Sequence, residues 1–82
     1  MIEMAMEYRW DETAGCLMRF DAKKWIFEGF NWKTRKWQHS NNAYDAYVRI
    51  YDGFVHKITE ANAEQIIREK VPGKPFDMDR LK

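Results

Sequence analysis

Hydrophobic and polar residues alternate with a period of two over two segments near the start of the chain, residues 5–10 and 16–21. This alternation is typical of strands that are buried on one face only. The residues between the two segments, Asp11 to Gly15, form a predicted turn, so the segments make a hairpin. The side predicted to face the core carries the apolar residues Met6, Tyr8, Trp10, Cys16, Met18 and Phe20. The opposite side, which includes Leu17, is predicted to face outward.

Two further strands extend this hairpin into a predicted antiparallel meander of three to four strands over about residues 5–39. The third strand begins at Trp25 and directs this residue and Phe27 to the core side. A turn over residues 33–35 precedes a short fourth strand, which adds Trp37 to the core. The first half of the chain is therefore predicted to form one small sheet.

The segment that follows the meander has two interpretations. Asp52-Gly53 is a strong signal for a two-residue hairpin loop, which would make residues 43–52 a strand. Polar residues nevertheless recur at helical spacing, at Asp45, Arg49 and Asp52. The spacing favours a helix over about residues 42–52, with a cap at Asn41 or Asn42. The tyrosines on its apolar stripe are Tyr44, Tyr47 and Tyr51.

A second helix is predicted over about residues 60–70, where Thr59 can cap the first turn. The stretch FVHKI before it is predicted to be a linker or a short extra strand. Residues 73–82 lack periodicity and are predicted to form a mobile tail, which Phe76 could dock on the domain. Because strands precede helices, the predicted fold class is α+β, a single domain over residues 1–72 with both helices packed on one sheet face.

The composition indicates a folded domain in spite of a small aliphatic content. Leu, Ile, Val and Phe make up just under one fifth of the 82 residues, which is close to the level of disordered chains. However, 4 Trp, 4 Tyr and 5 Phe provide large rings to bury, and 14 basic residues nearly balance 13 acidic ones. A chain of this length is expected to form one core.

The sequence offers little for catalysis or metal binding. Cys16 could be combined with His39 or His56 as a nucleophile and base, but it shares a strand side with apolar residues, where a thiol packs as a small hydrophobe. No spacing typical of zinc ligands or of a phosphate-binding loop is present. We therefore expect no catalytic residues, no cofactor and no metal. A lone cysteine and the absence of a long apolar run predict a cytoplasmic protein without a membrane span.

Basic charge is concentrated in the predicted hairpin of residues 23–39, where it alternates with aromatic residues. The cations are Lys23, Lys24, Lys33, Arg35 and Lys36. Cations for phosphates and rings for bases are what a single-stranded nucleic acid requires, so nucleic-acid binding is one hypothesis. The competing interpretation is that these residues only solvate the surface and protect an edge strand.

The leading hypothesis places the function on an aromatic sheet surface instead. Trp32 falls in a predicted turn, outside the alternation that buries the other tryptophans, and Phe30 and Ile26 lie on the side opposite the predicted core. An exposed apolar patch of this kind commonly binds another protein. The alternative is that a helix, or the tail through Phe76, packs on these residues. The sequence assigns neither the partner's identity nor an oligomeric state.

Overall fold

The computed structural model describes residues 6–12, 14–48, 55–71 and 73–81, and within these ranges the chain forms five strands, two α-helices and one 3-10 turn. In chain order the regular elements are β1 (Met6–Asp11), β2 (Cys16–Asp21), β3 (Ile26–Asn31), β4 (Lys36–His39), α1 (Asn41–Val48), β5 (Val55–Ile58) and α2 (Glu60–Glu69). The 3-10 turn spans Met78–Arg80. The predicted α+β class with an antiparallel meander is confirmed.

The strands form a single antiparallel sheet in the order β4-β3-β2-β1-β5. The first four strands make the predicted meander. The fifth strand comes from the FVHKI stretch and pairs with β1, so that Ile58 lies opposite Tyr8. Of the two interpretations of this stretch, linker or extra strand, the extra strand is therefore confirmed for Val55–Ile58.

The register of the first hairpin places apolar residues on both faces of the sheet. Trp10 lies opposite Leu17, and Arg9 lies opposite Met18. Residues directly opposite each other in antiparallel strands point to the same face, so Trp10 and Met18 point to opposite faces. The prediction that Trp10 shares a core side with Met18 and Phe20 is wrong, and Leu17, predicted to face outward, is 1% exposed. The cause is the number of residues between Asp11 and Cys16: with four connecting residues, even-numbered positions of β1 pair with odd-numbered positions of β2.

Each face of the sheet has its own hydrophobic core. On the first, which we call the α2 face, the buried residues are Tyr8, Trp10, Leu17, Ala63, Ile66 and Phe76. On the second, the α1 face, they are Met18, Phe20, Phe27 and Ala43. The two helices therefore cover opposite faces, and the prediction that both pack on one face is wrong. Since β2 carries buried residues on both sides, each side needs a covering element.

Helix α1 begins one residue after a serine cap. The Ser40 Oγ accepts a hydrogen bond from the backbone N–H of Ala43 at 3.1 Å, so Ser40 takes the capping role predicted for Asn41 or Asn42. Helical structure over Asn41–Val48 confirms the helix interpretation for that part of the segment. Residues 49–52 of the predicted helix, and the alternative Asp52-Gly53 loop, lie outside the described residues.

Helix α2 begins with a reciprocal pair of side-chain caps and is held at its far end by the tail. The Thr59 side chain accepts from the backbone N–H of Asn62 at 3.0 Å, and the Asn62 side chain accepts from the backbone N–H of Thr59 at 3.3 Å. In the tail, Phe76 is 5% exposed, and Arg80 forms an ion pair with Glu69 at 2.6 Å. The sequence analysis left open whether Phe76 docks on the domain, and the structure shows that it does. The domain boundary at residue 72 stays a prediction.

Within the described part of the chain, neither helix has the length and apolarity needed to cross a bilayer.

Candidate protein-binding surface

Trp32, one of the predicted partner-binding residues, is half-buried in contacts within the domain. Its indole N–H donates a hydrogen bond to the carbonyl oxygen of Gly15 at 3.2 Å. Its ring makes an edge contact with Phe30, with 4.9 Å between ring centroids, and another with Trp10 at 6.4 Å. The ammonium of Lys70 lies 5.2 Å from the centre of the ring. Trp32 therefore links a turn to the core of the α2 face.

The structure brings two of the three predicted partner-binding residues together. Phe30 contacts Trp32 and also Trp37, with 5.3 Å between the latter pair of ring centroids. Ile26 lies on the same face of β3 but at the opposite end, about 13 Å along the strand from Phe30. All three predicted residues are half-buried. They form a partly covered aromatic cluster with Ile26 set apart from it.

The basic residues of the predicted nucleic-acid surface form two groups. Lys23 and Lys24 lie in the turn before β3, and the remaining three, Lys33, Arg35 and Lys36, lie at or next to the turn after it. The six residues of β3 separate these turns by about 20 Å. All five cations are exposed. The guanidinium of Arg35 donates to the carbonyl oxygen of Ile67 at 2.7 Å, so part of this charge fastens the second turn to α2.

Trp25 is the most exposed large hydrophobic residue in the described part of the chain, and the prediction that it points into the core is wrong. Its residue exposure is 60%, compared with 54% for Val71 and 38% for Tyr44. The Asp21 carboxylate accepts the backbone N–H of Lys24 at 3.1 Å and so closes a turn over residues 22–25. Trp25 ends this turn in the left-handed conformation, with φ of 57°, outside the alternation of β3.

The ring of Trp25 packs against two other aromatic rings. It lies edge-on to Phe27, with 4.9 Å between centroids and an interplanar angle of 89°, and 6.0 Å from Tyr44 of α1. Phe27 and Tyr44 also meet edge-on at 5.0 Å. Phe27 is 3% exposed and belongs to the core of the α1 face. We call the exposed set Lys23, Lys24, Trp25 and Tyr44 the Trp25 corner.

The sequence analysis did not predict the Trp25 corner, because the alternation of apolar and polar residues begins β3 at Trp25, whereas the strand begins at Ile26. The sequence does contain a signal for this turn, namely Asp21 at its start. An Asp side chain in this position commonly accepts a hydrogen bond from a backbone N–H further along the turn and so closes it. An aromatic residue at the end of a turn lies outside the strand, so the alternation of side chains between the two faces of the sheet does not direct it into the core.

The environment of Cys16, the one nucleophile that the sequence analysis considered, is described by its burial and its neighbours. Burial, and secondarily the carboxylate of Asp11, raises the pKa of the Cys16 thiol. Cys16 and His39 line one cavity of about 270 Å³, while the imidazole of His39 is within hydrogen-bond distance of Asn41, at 3.2 Å. A reactive cysteine requires a lowered pKa, so the shift disfavours the thiolate needed for nucleophilic chemistry.

The described residues contain no group of three or more His, Cys, Asp or Glu side chains arranged to hold a metal ion. Comparison with protein-family models, with curated protein sequences and with solved structures finds no match to this chain.

Proposed function

We propose that this protein is a non-enzymatic, cytoplasmic binding protein that contacts another protein through the Trp25 corner. The observation that carries the proposal is the 60% exposure of Trp25. Tryptophan is enriched among the residues that dominate protein interfaces, because it buries a large apolar area in one contact. The proposal keeps the function that the sequence suggested, binding through aromatic residues of the sheet, and moves it from Phe30 and Trp32 to the opposite face.

The fixed orientation of Trp25 supports this role. Its ring rests on Phe27 and Tyr44, and the turn that carries it is closed by the side chain of Asp21. A contact residue that is already held in place loses little conformational entropy on binding. The corner therefore provides a rigid aromatic contact.

The charges around the ring support a partner with acidic residues. Lys23 and Lys24 are exposed and precede Trp25 directly in the turn. Interfaces commonly surround a central aromatic contact with a polar, solvent-accessible rim. Opposite charges on the partner would accelerate association and fix its orientation.

A second candidate, binding of single-stranded nucleic acid, is favoured by the same juxtaposition of an exposed indole and two lysines. A base could stack on Trp25 while Lys23 and Lys24 contact phosphates. The other three cations lie about 20 Å away along β3, so only the first group belongs to the corner. This candidate predicts an affinity that falls steeply with salt concentration.

The test is affinity capture from nuclease-treated extract of the source cells, with wild type, Trp25→Ala and Val71→Ala as immobilised proteins. Val71 is the matched control, since it is 54% exposed and lies outside the corner. We expect Val71→Ala to retain a partner protein that Trp25→Ala loses, with both variants as stable as wild type. Equal capture by wild type and Trp25→Ala would refute the proposal.

Titration with short single-stranded oligonucleotides, followed by tryptophan fluorescence at low and near-physiological salt, separates the two candidates. We expect no saturable response. A saturable, salt-sensitive response that Trp25→Ala abolishes would establish the nucleic-acid candidate instead.

A further inference from the structure

We propose that the end of the sheet opposite the Trp25 corner binds the phosphate backbone of a nucleic-acid duplex. The β1–β2 and β3–β4 turns lie side by side at this end, and the C-terminal end of α2 is bonded to the second of them. We call the cations at this end the basic end: Lys33, Arg35, Lys36, Arg68, Lys70 and Lys74. None of them belongs to the Trp25 corner, so the inference is independent of the function proposed above.

Contacts between separate elements bring these cations together. The guanidinium of Arg35 donates to the carbonyl oxygen of Ile67 at 2.7 Å, which joins the β3–β4 turn to α2, 32 residues away in the chain. The ammonium of Lys70 lies 5.2 Å from the centre of the Trp32 ring and donates to the carbonyl oxygen of Lys74 at 3.3 Å. The basic end is therefore assembled by the tertiary structure from a turn, a helix terminus and the tail.

Carboxylates of the domain do not neutralise this charge. Within the described residues, none of the six cations of the basic end forms an ion pair. Arg9, Arg19, Lys57 and Arg80, in contrast, each pair with a glutamate. Five of the six cations are exposed, and Lys70 is half-buried. The basic end thus presents uncompensated positive charge to the solvent.

Stabilisation of α2 accounts for only part of this charge. Cations near the C terminus of a helix interact favourably with its dipole, which explains Arg68 and Lys70. Lys33, Lys36 and Lys74 lie outside the helix and make no ion pair in the described part of the chain. A cluster of cations from several elements on one surface is typical of proteins that bind nucleic acid.

The aromatic environment of the basic end favours a duplex over a single strand. Single strands are held largely by bases that stack on exposed rings. Here Trp32 is half-buried, its indole N–H is bonded to Gly15, and Lys70 lies against its ring. The surface therefore offers contacts to phosphates rather than to bases. A duplex carries one phosphate charge per about 1.7 Å of its axis, twice the density of one strand.

The width of the basic end allows contacts to several phosphates. From β4 to β1 the sheet measures about 14 Å, since neighbouring strands lie about 4.8 Å apart. Each strand of a duplex advances about 3.4 Å along the axis per phosphate, so a surface of this width reaches about four of them. Contacts to phosphates carry no sequence information, so we expect binding to be independent of base sequence.

The experiment measures binding of a short, fluorescently labelled DNA duplex by anisotropy, at salt concentrations from about 50 mM to about 200 mM. For about four phosphate contacts we expect the affinity to fall about 100-fold over this range. Two duplexes of unrelated sequence should give equal affinities. Absence of saturable binding at the lowest salt concentration, or a strong preference for one sequence, would overturn the proposal.

Two double variants with the same change in net charge locate the surface. Lys33→Gln/Lys36→Gln removes two exposed cations of the basic end and keeps the side chains that join the turn to α2. We expect it to reduce the slope of log affinity against log salt concentration by about 2. Lys23→Gln/Lys24→Gln, at the Trp25 corner, should bind the duplex as wild type does. An unchanged slope in the first variant, or an equal reduction in both, contradicts the assigned surface.

Two competitors separate a duplex from other polyanions. A single strand of the same sequence, and polyglutamate with the same number of charges, are each added to the preformed complex. We expect both to displace the labelled duplex only at concentrations at least about tenfold higher than unlabelled duplex requires. Displacement by the single strand as effective as by the duplex would refute the choice of a duplex. Equally effective displacement by polyglutamate would identify an acidic protein as the occupant instead.

Discussion

The indole N–H of Trp32 donates a hydrogen bond to the carbonyl oxygen of Gly15 at 3.2 Å, and this bond joins the β3–β4 turn to the β1–β2 turn. Both turns lie at one end of the sheet. Gly15 has a φ of 68°, a conformation that glycine adopts at no steric cost. Trp25, at the other end of the sheet, has no comparable position in the core and is 60% exposed.

This contrast predicts different stabilities for two tryptophan variants. We expect Trp32→Ala to lower the free energy of unfolding by about 2–3 kcal/mol, somewhat less than the loss for a fully buried ring. We expect Trp25→Ala to lower it by less than about 1 kcal/mol, because most of this side chain is already in water. Urea denaturation measures both values. Equal losses in the two variants would contradict the assigned positions of the rings.

The close approach of Gly29 to Ser40 predicts coupling between β3 and the cap of α1. A Cβ added at Gly29 would lie 3.2 Å from the Cβ and 3.3 Å from the Oγ of Ser40. We expect Gly29→Ala to destabilise the protein by about 1 kcal/mol, because it displaces the side chain that caps α1.

A double-mutant cycle with Ser40→Gly tests this explanation. Ser40→Gly removes both crowded atoms and by itself loses the cap hydrogen bond to Ala43. In that background we expect Gly29→Ala to have little further effect on urea denaturation. Additive losses would show that the two residues act separately.

Docking of the tail predicts that it contributes to stability. Phe76 is 5% exposed and packs on Trp10, so we expect Phe76→Ala to lower the free energy of unfolding by about 3 kcal/mol. Lys74→Ala, which changes an exposed residue of the same segment, is the control and should cost less than about 0.5 kcal/mol. A loss in Phe76→Ala as small as in the control would mean that the tail is not anchored in solution.

The environment of Cys16 predicts a loss of stability at alkaline pH. Burial and the charge of Asp11 raise the pKa of this thiol above its ordinary value of 9.0. Above about pH 9 the unfolded chain therefore releases a proton that the folded protein retains, so stability is complete below this pH and falls as pH rises toward the raised pKa. We expect urea midpoints measured from pH 7 to pH 10 to show this fall.

The variant Cys16→Ala tests the assignment, since it removes the titrating group from a half-buried position. We expect it to reduce the alkaline fall without abolishing it, because burial also raises the pKa of Tyr8 above 10.0. An identical pH dependence in the two proteins would show that Cys16 does not titrate as described. Reaction of the native thiol with iodoacetamide at pH 8.5 should likewise be slower than that of the unfolded chain.

Much of the local structure follows from local patterns. The period of two predicted β1 and β2 to within one residue, because each strand has an uninterrupted run of alternating side chains. Thr59 predicted the start of α2, because a capping hydrogen bond depends on residues three apart in the chain. The exposure of Trp25 was not predictable from alternation, because the turn before β3 is closed by a side chain, that of Asp21.

Which side chains of β1 and β2 share a face of the sheet was decided by the tertiary structure. Within β2 the sequence determines that Met18 and Phe20 share a side and that Leu17 points the other way. It does not determine which of these sides joins Trp10, because both are apolar and either register would bury hydrophobic residues. Four residues connect Asp11 to Cys16, and this number pairs Trp10 with Leu17. A connection with one residue more or fewer would reverse the choice. The sequence by itself thus determined β1, β2, the α2 cap and the α+β class, because these depend on residues close together in the chain. Tertiary packing decided which helix covers which face, because both faces of β2 are apolar.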